Sequence, residues 1–282
     1  MIGEFRLSLP LSPSLSPSLS LSLSLSLTPC SRPQGPYNLS SSGELGTLEY
    51  RLYTMQYGQP LSAWHDVPLY GQVDGTLNFV CEIPANTTAK FEVQTKEPGT
   101  PIAQDSKNGL PRDYAIPILW NYGMLPQTWE DPDVAIEILG GAGGDNDPTD
   151  VVELGASPCS SGQVYSVKPI CAFAMIDDGE VDWKVVAISP NNPKADAING
   201  AADAEEAYPG ELEAIREWFK FYKTVKNVNG TLEPSGYPPS EFGFDEACVD
   251  GEQLAIVLEE RSSFYQALVD GQRLNTEGLW LP

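Results

Sequence analysis

Three aspartates, Asp145, Asp147 and Asp150, fall within six residues of the run 144–155, G-D-N-D-P-T-D-V-V-E-L-G. Carboxylates this crowded repel one another unless a hard cation lies between them. Pro148 biases Asp147 towards an extended conformation, so Asp145 and Asp147 are expected to point the same way. A solvated acidic turn has the same composition, and the run alone is open between the two readings. An EF-hand loop is excluded, because Asp150 stands where that loop requires glycine.

A second acidic cluster lies at 175–184, M-I-D-D-G-E-V-D-W-K, with Asp177 and Asp182 next to Lys184. A solvated turn is again the alternative, but Trp183-Lys184 directs the chain into a strand and sets a cation beside carboxylates. No histidine or cysteine stands near either cluster, so the donors are all oxygen. That set suits Mg²⁺ and disfavours zinc. The single histidine, His65, lies in A-W-H-D-V-P-L with no nucleophile motif, and a structural role is expected for it.

The run 144–155 closely matches D-x-D-P-x-D, the signature of soluble family I inorganic pyrophosphatases. Four further segments carry the same resemblance. They are N-F-V-C-E-I-P-A-N-T-T-A-K at 78–90, W-N-Y-G-M-L-P-Q-T-W-E-D-P at 120–132, the segment 175–184, and E-W-F-K-F-Y-K at 217–223. They occur in the family's order and at about its spacing, and the W-N-Y-G form resembles the plastid-type branch of plants and algae. The resemblance implies a Mg²⁺-dependent hydrolase that splits inorganic diphosphate into two orthophosphates. The attack would be direct, by a metal-activated water, without a phosphoenzyme.

What the resemblance implies for single residues follows by position. Asp145, Asp150, Asp177, Asp182 and Glu92 would hold metal, with Glu82 in support and Asp105 at a further acidic position. Asp147 would be the general base. Lys90, Arg112, Lys184, Lys223, Tyr122 and Tyr222 would bind the phosphates. Three positions depart from the pattern. Thr149 replaces an aliphatic residue, Ala85 a basic one, and Ile118 a tyrosine that serves some relatives as proton donor. Ile118 cannot donate, which leaves Tyr122 or a metal-bound water. Two other functions share these motifs: a catalytically inactive pyrophosphatase-like binding protein, and a Mg²⁺-dependent phosphohydrolase acting on polyphosphate or nucleotides. Eukaryotic relatives are often dimers and plastid-type ones monomers, so monomer and homodimer both stand.

The 282-residue chain carries 39 acidic and 16 basic residues, a net charge of −23. Affinity for nucleic acid or an anionic membrane needs a basic face, so neither partner is expected. It also makes each basic residue near the acidic clusters conspicuous. Five cysteines without C-x-x-C pairing read as reduced thiols.

Residues 7–27 are entirely Leu, Ser and Pro, a stretch with no varied apolar set from which to build a core. Residues 1–43 therefore read as a low-complexity tract, either a plastid transit peptide or a translated repeat, followed by one domain over 44–282. The location is plastid or cytoplasm accordingly. Short Val-, Ile- and Phe-rich segments between residues 49 and 188 predict a small antiparallel β-barrel. Helices are predicted at 211–223, with Leu212, Ile215, Trp218, Phe219 and Tyr222 on one stripe, and at 250–269, with Asp250 as the cap; a loop over 225–240 joins them. The fold expected is mainly β with some α: a closed five-stranded OB-like barrel with helices packed outside.

Overall fold

The computed structural model of the chain describes residues 36–282; the Leu/Ser/Pro tract and Cys30 lie outside them. The first strands are β1 (Asn38–Ser42), β2 (Arg51–Gln56), β3 (Gln59–Leu61), β4 (Leu77–Ile83), β5 (Thr87–Ala89), β6 (Phe91–Val93) and β7 (Ile102–Gln104). Then come β8 (Ser106–Lys107), β9 (Leu110–Pro111), β10 (Asp113–Ile118), β11 (Asn121–Met124), β12 (Asp150–Glu153), β13 (Val164–Asp177) and β14 (Glu180–Ile188). Helices α1 (Ala201–Ala207) and α2 (Glu211–Phe221) follow, then β15 (Val225–Val228), β16 (Thr231–Pro234), β17 (Glu241–Phe242) and α3 (Gly251–Val269).

The main sheet runs β14-β12-β11-β4-β13-β17. The long strand β13 uses its first residues to pair with β4 and its remainder to pair with β14. The turn between β13 and β14 is Asp178-Gly179, both at positive φ, the conformation a tight two-residue hairpin needs. The β12–β14 pair is parallel, which corrects the expectation of a wholly antiparallel sheet. β13 intervenes in sequence and supplies the return path that a parallel pair demands.

Gly123 on β11 is fixed by a close approach. A Cβ there would lie 2.0 Å from the Val80 carbonyl oxygen on β4, so only glycine lets the two backbones meet. Helix α2 buries Leu212, Ile215, Trp218 and Phe219 on one stripe, as its periodicity predicts. Trp218 donates to the Pro117 carbonyl at 3.0 Å, and its ring meets that of Tyr114 edge-on at 5.1 Å. The helix end is thereby seated over β10. His65 takes a structural place: its ring lies within hydrogen-bonding distance of the Tyr265 hydroxyl and the Trp280 carbonyl, at 2.8 and 2.9 Å. Among the described residues no helix is long and apolar enough to cross a membrane.

Four expectations are corrected. Residues 38–42 form β1, which pairs with β2 along five positions, so the sheet reaches back across the 43/44 boundary. The segment 225–240 contains the β15–β16 hairpin rather than loop alone. Asp250 precedes α3 but does not cap it; its carboxylate accepts the Ala201 N–H at the start of α1, 2.7 Å away. The cysteines expected as free thiols pair as Cys81–Cys159 and Cys171–Cys248, separated by 78 and 77 residues. No local spacing announces bonds between partners so distant in sequence.

Candidate active site

Strands β4, β6, β11, β12 and β14, the loop 144–149 and the end of α2 line one cavity of about 180 Å³. Its wall holds Glu82, Glu92, Asp145, Asp147, Asp150, Asp177 and Asp182, together with Lys90, Arg112, Lys184, Lys223, Tyr122 and Tyr222. Every candidate site residue named from the sequence, Asp105 excepted, therefore lines a single space. Asp105 stands just outside it, where its Oδ2 accepts from Arg112 at 2.7 Å and from Lys90 at 3.2 Å.

Sheet register explains part of this convergence. Asp182 and Lys184 are two apart on β14 and share a face. Asp150 on β12 is the direct partner of Lys184 across the parallel pair. Lys184, almost wholly buried, donates to Asp150 at 2.5 Å, to the Tyr122 hydroxyl at 3.0 Å, and to Asp182. Tyr122 donates to Asp150 in turn.

The loop bearing Asp145 and Asp147 is not extended, which corrects the sequence reading. Asn146 adopts φ +74, and the Asp145 carboxylate accepts the Asp147 N–H at 3.0 Å. This is an aspartate-closed turn around a left-handed asparagine, a residue that tolerates that conformation. Residues 128–131 hold the loop along its length. Glu130 N–H donates to the Asp147 carbonyl, Asn146 N–H to that of Glu130, and Gly144 N–H to that of Asp131, at 2.9, 2.9 and 3.0 Å.

Two participants escaped the sequence reading. Glu130, fully buried, accepts the Trp183 N–H with its carboxylate, tying the aspartate loop to β14. It stood inside a quoted motif but was not singled out. Tyr114 lies two residues from Arg112 in an extended run, and that period of two was the signal available for it. Lys223 lies just beyond α2 and is paired with Asp177 and, at 3.0 Å, with Asp178.

Seven carboxylates face four cations in this cavity, and proton affinities follow from that excess. Asp145 and Asp182 are pushed well above the usual carboxylate range by burial and by neighbouring aspartates, against the pull of Lys184. Asp147 opens onto the cavity, yet the protein mass around it excludes enough water to raise it to about 7. Glu92, Asp150 and Asp182 add to the rise, and Lys90 opposes it. Glu82 is raised by burial and by Asp150, against a 2.6 Å hydrogen bond from Val93 N–H. Burial pulls Lys90 down, but Glu92, Tyr114 and Asp105 outweigh it and hold it protonated.

An uncompensated, oxygen-only set of this kind fits a hard divalent ion, which would supply the missing positive charge. Among the described residues no three His, Cys, Asp or Glu side chains form a ready-made cage for one ion. Lys184 takes up oxygens of Asp150 and Asp182 itself.

Residues 79–242 match the family model described as inorganic pyrophosphatase. The chain is 48% identical over 245 residues to soluble inorganic pyrophosphatase 1, chloroplastic, of Chlamydomonas reinhardtii, covering 87% of this chain and 84% of that protein. It is 42% identical over 242 residues to soluble inorganic pyrophosphatase 6, chloroplastic, of Arabidopsis thaliana, covering 85% and 77%. The type I inorganic pyrophosphatase of Toxoplasma gondii superposes with a TM-score of 0.75 at 39% identity, covering 82% of this chain and 98% of that one. The N-terminally truncated vacuolar soluble pyrophosphatase of Trypanosoma cruzi, solved in complex with PPi, gives 0.76 at 36% identity, covering 90% and 97%.

Proposed function

This chain belongs to the inorganic pyrophosphatase family, and we propose that it hydrolyses inorganic diphosphate to two orthophosphates with Mg²⁺ as its metal. The observation that carries the reading is the meeting of both acidic clusters with Lys90, Arg112, Lys184 and Lys223 in one cavity. The Trypanosoma cruzi relative, solved with PPi, supports the substrate.

Asp145, Asp150, Asp177, Asp182 and Glu92 would hold the metal. Bound there, Mg²⁺ would supply charge neutralisation and acidify the attacking water. Asp147 accepts that water's proton. In the metal-free protein its carboxyl is raised to about 7, and the positive charge of bound Mg²⁺ would lower it, leaving the carboxylate ionised and able to take a proton near neutral pH. Lys90, Arg112, Lys184, Lys223 and the Tyr222 hydroxyl bind the phosphoryl oxygens and stabilise the leaving phosphate. Tyr122 donates the proton that Ile118 cannot. Its hydroxyl is held well above its ordinary range by burial and by Asp150, which makes it a weak acid in the metal-free protein, and a metal-bound water is the alternative donor.

We read the ring of pairings β4-β11-β12-β14-β13 as the five-stranded OB-like barrel. The chloroplastic relatives support a plastid location, with the residues ahead of β1 as the address. Phosphate release from diphosphate, tripolyphosphate and ATP with Mg²⁺ tests the function. Release from diphosphate alone is expected. Equal release from the longer substrates would favour a general phosphohydrolase, and none at all an inactive binding protein.

A further inference from the structure

A second, larger cavity opens beside the first and shares Arg112, Tyr114, Tyr222 and Lys223 with it. The hairpins β8–β9 and β15–β16 form its outer walls, and each contributes an exposed lysine, Lys107 and Lys226. Lys107 Nζ sits 5.1 Å from the centre of the Tyr237 ring, which also lines the space.

The charges here differ from those of the inner cavity. Asp105 is engaged by Lys90 and Arg112, and Asp178 by Lys223. Asp113 receives the Gln104 side-chain amide at 3.2 Å. Among the described residues neither Lys107 nor Lys226 has a carboxylate within 4.0 Å, although Glu233 stands directly across the hairpin from Lys226. In a chain of net charge −23, two ammonium groups without a close ion pair, both lining one space beside the inner cavity, are an unexpected allocation. An acidic protein repels an anionic substrate at long range, and a locally positive approach offsets that repulsion.

The geometry points to this outer basin as a capture site, where Lys107 and Lys226 hold incoming diphosphate before it passes Arg112 and Lys223 into the inner cavity. The inference rests on the proposed diphosphatase reading. It adds two residues that act on substrate entry and take no part in bond cleavage.

The test is steady-state diphosphate hydrolysis by the full chain carrying Lys107→Gln and Lys226→Gln, at ionic strengths of about 20 mM and about 0.5 M. The control is Lys168→Gln with Lys194→Gln, which removes the same charge from residues lining neither cavity. Capture predicts that kcat/KM falls by about threefold or more at low salt for the first pair only, with kcat unchanged. The difference should shrink below about 1.5-fold at high salt, because screening removes the steering. Lys107→Arg with Lys226→Arg should restore the wild-type value. A smaller fall, an equal fall in the control, a fall that persists at high salt, or a parallel loss of kcat each overturns the proposal. A wild-type chain inactive on diphosphate would instead overturn the function on which it rests.

Discussion

Lys184 Nζ stands 2.5 Å from Asp150 Oδ2, with the lysine side chain 3% exposed. The two residues are 34 apart in sequence and directly opposite in register. One buried ammonium serves Asp150, Asp182 and Tyr122 together. Deleting a buried cation leaves its carboxylates uncompensated, at a cost of about 3–5 kcal/mol. Lys184→Met should therefore lower metal-free stability by about that amount in urea unfolding and abolish turnover. A variant as stable as wild type would show that the aspartates do not depend on it.

Asp147→Asn preserves shape and removes most basicity. Turnover should fall by ~10²-fold or more while Mg²⁺ affinity, read by titration calorimetry, changes much less. Near-wild-type turnover across pH would remove Asp147 from the role of base.

Metal dependence should carry a pH signature. Asp147 has a folded value near 7 against an ordinary value near 4, so below about pH 4 its proton is bound in both states. Between about 4 and 7 the unfolded chain releases it and the folded chain retains it, so metal-free stability falls as pH rises. Mg²⁺ should reverse that fall, giving a larger rise in Tm at pH 7.5 than at pH 5. EDTA should abolish activity and Ca²⁺ should suppress it, since its looser coordination positions water poorly. Full turnover in Ca²⁺ alone would rule out the site.

Thr149 is fully buried between the aspartates, and its hydroxyl has no hydrogen-bond partner among the described residues. Its N–H is held by Thr128 Oγ1 at 3.0 Å, so the backbone does not need that side chain. Thr149→Val keeps the shape and discards the unpaired group. A gain of about 1 kcal/mol in unfolding free energy, with kcat unchanged, is expected. A loss of stability would mean that the hydroxyl is satisfied in solution.

Two truncations separate the N-terminal tract from the fold. Starting the chain at Pro36 should leave Tm and turnover unchanged. Starting at Glu44 deletes β1 and exposes the β2 edge it covers, so Tm should drop by a few degrees. Equal behaviour of the two would show that β1 adds nothing to the sheet. Plastid import of a fluorescent fusion of residues 1–35 would mark the tract as an address, and diffuse signal would not.

The acidic residues of the site were legible because their chemistry is local. Asp145, Asp147 and Asp150, or Asp177 and Asp182, are crowded within a few residues, and crowding needs no fold to be seen. The α2 stripe of Leu212, Ile215, Trp218 and Phe219 was legible for the same reason, since helical period is a property of a short window. Contacts set by long separations were not. Nothing in the spacing joins Cys81 to Cys159, or seats the exposed β1 strand on β2. The left-handed Asn146 was also hidden, because the Pro148 bias acts only on Asp147 and the loop, closed by the Asp145 carboxylate, is held by residues 128–131.

By itself, then, the sequence determined the donor set: many oxygens and few cations. Only the tertiary structure decided which cation meets which carboxylate. Lys184 reaches Asp150 through a parallel register created when β13 carries the chain back across the sheet. Lys223 reaches Asp177 because α2 ends at the hairpin turn of β13 and β14. Pairing energies between buried charges fall off with distances of a few ångströms, and such distances are fixed by packing between elements rather than within them.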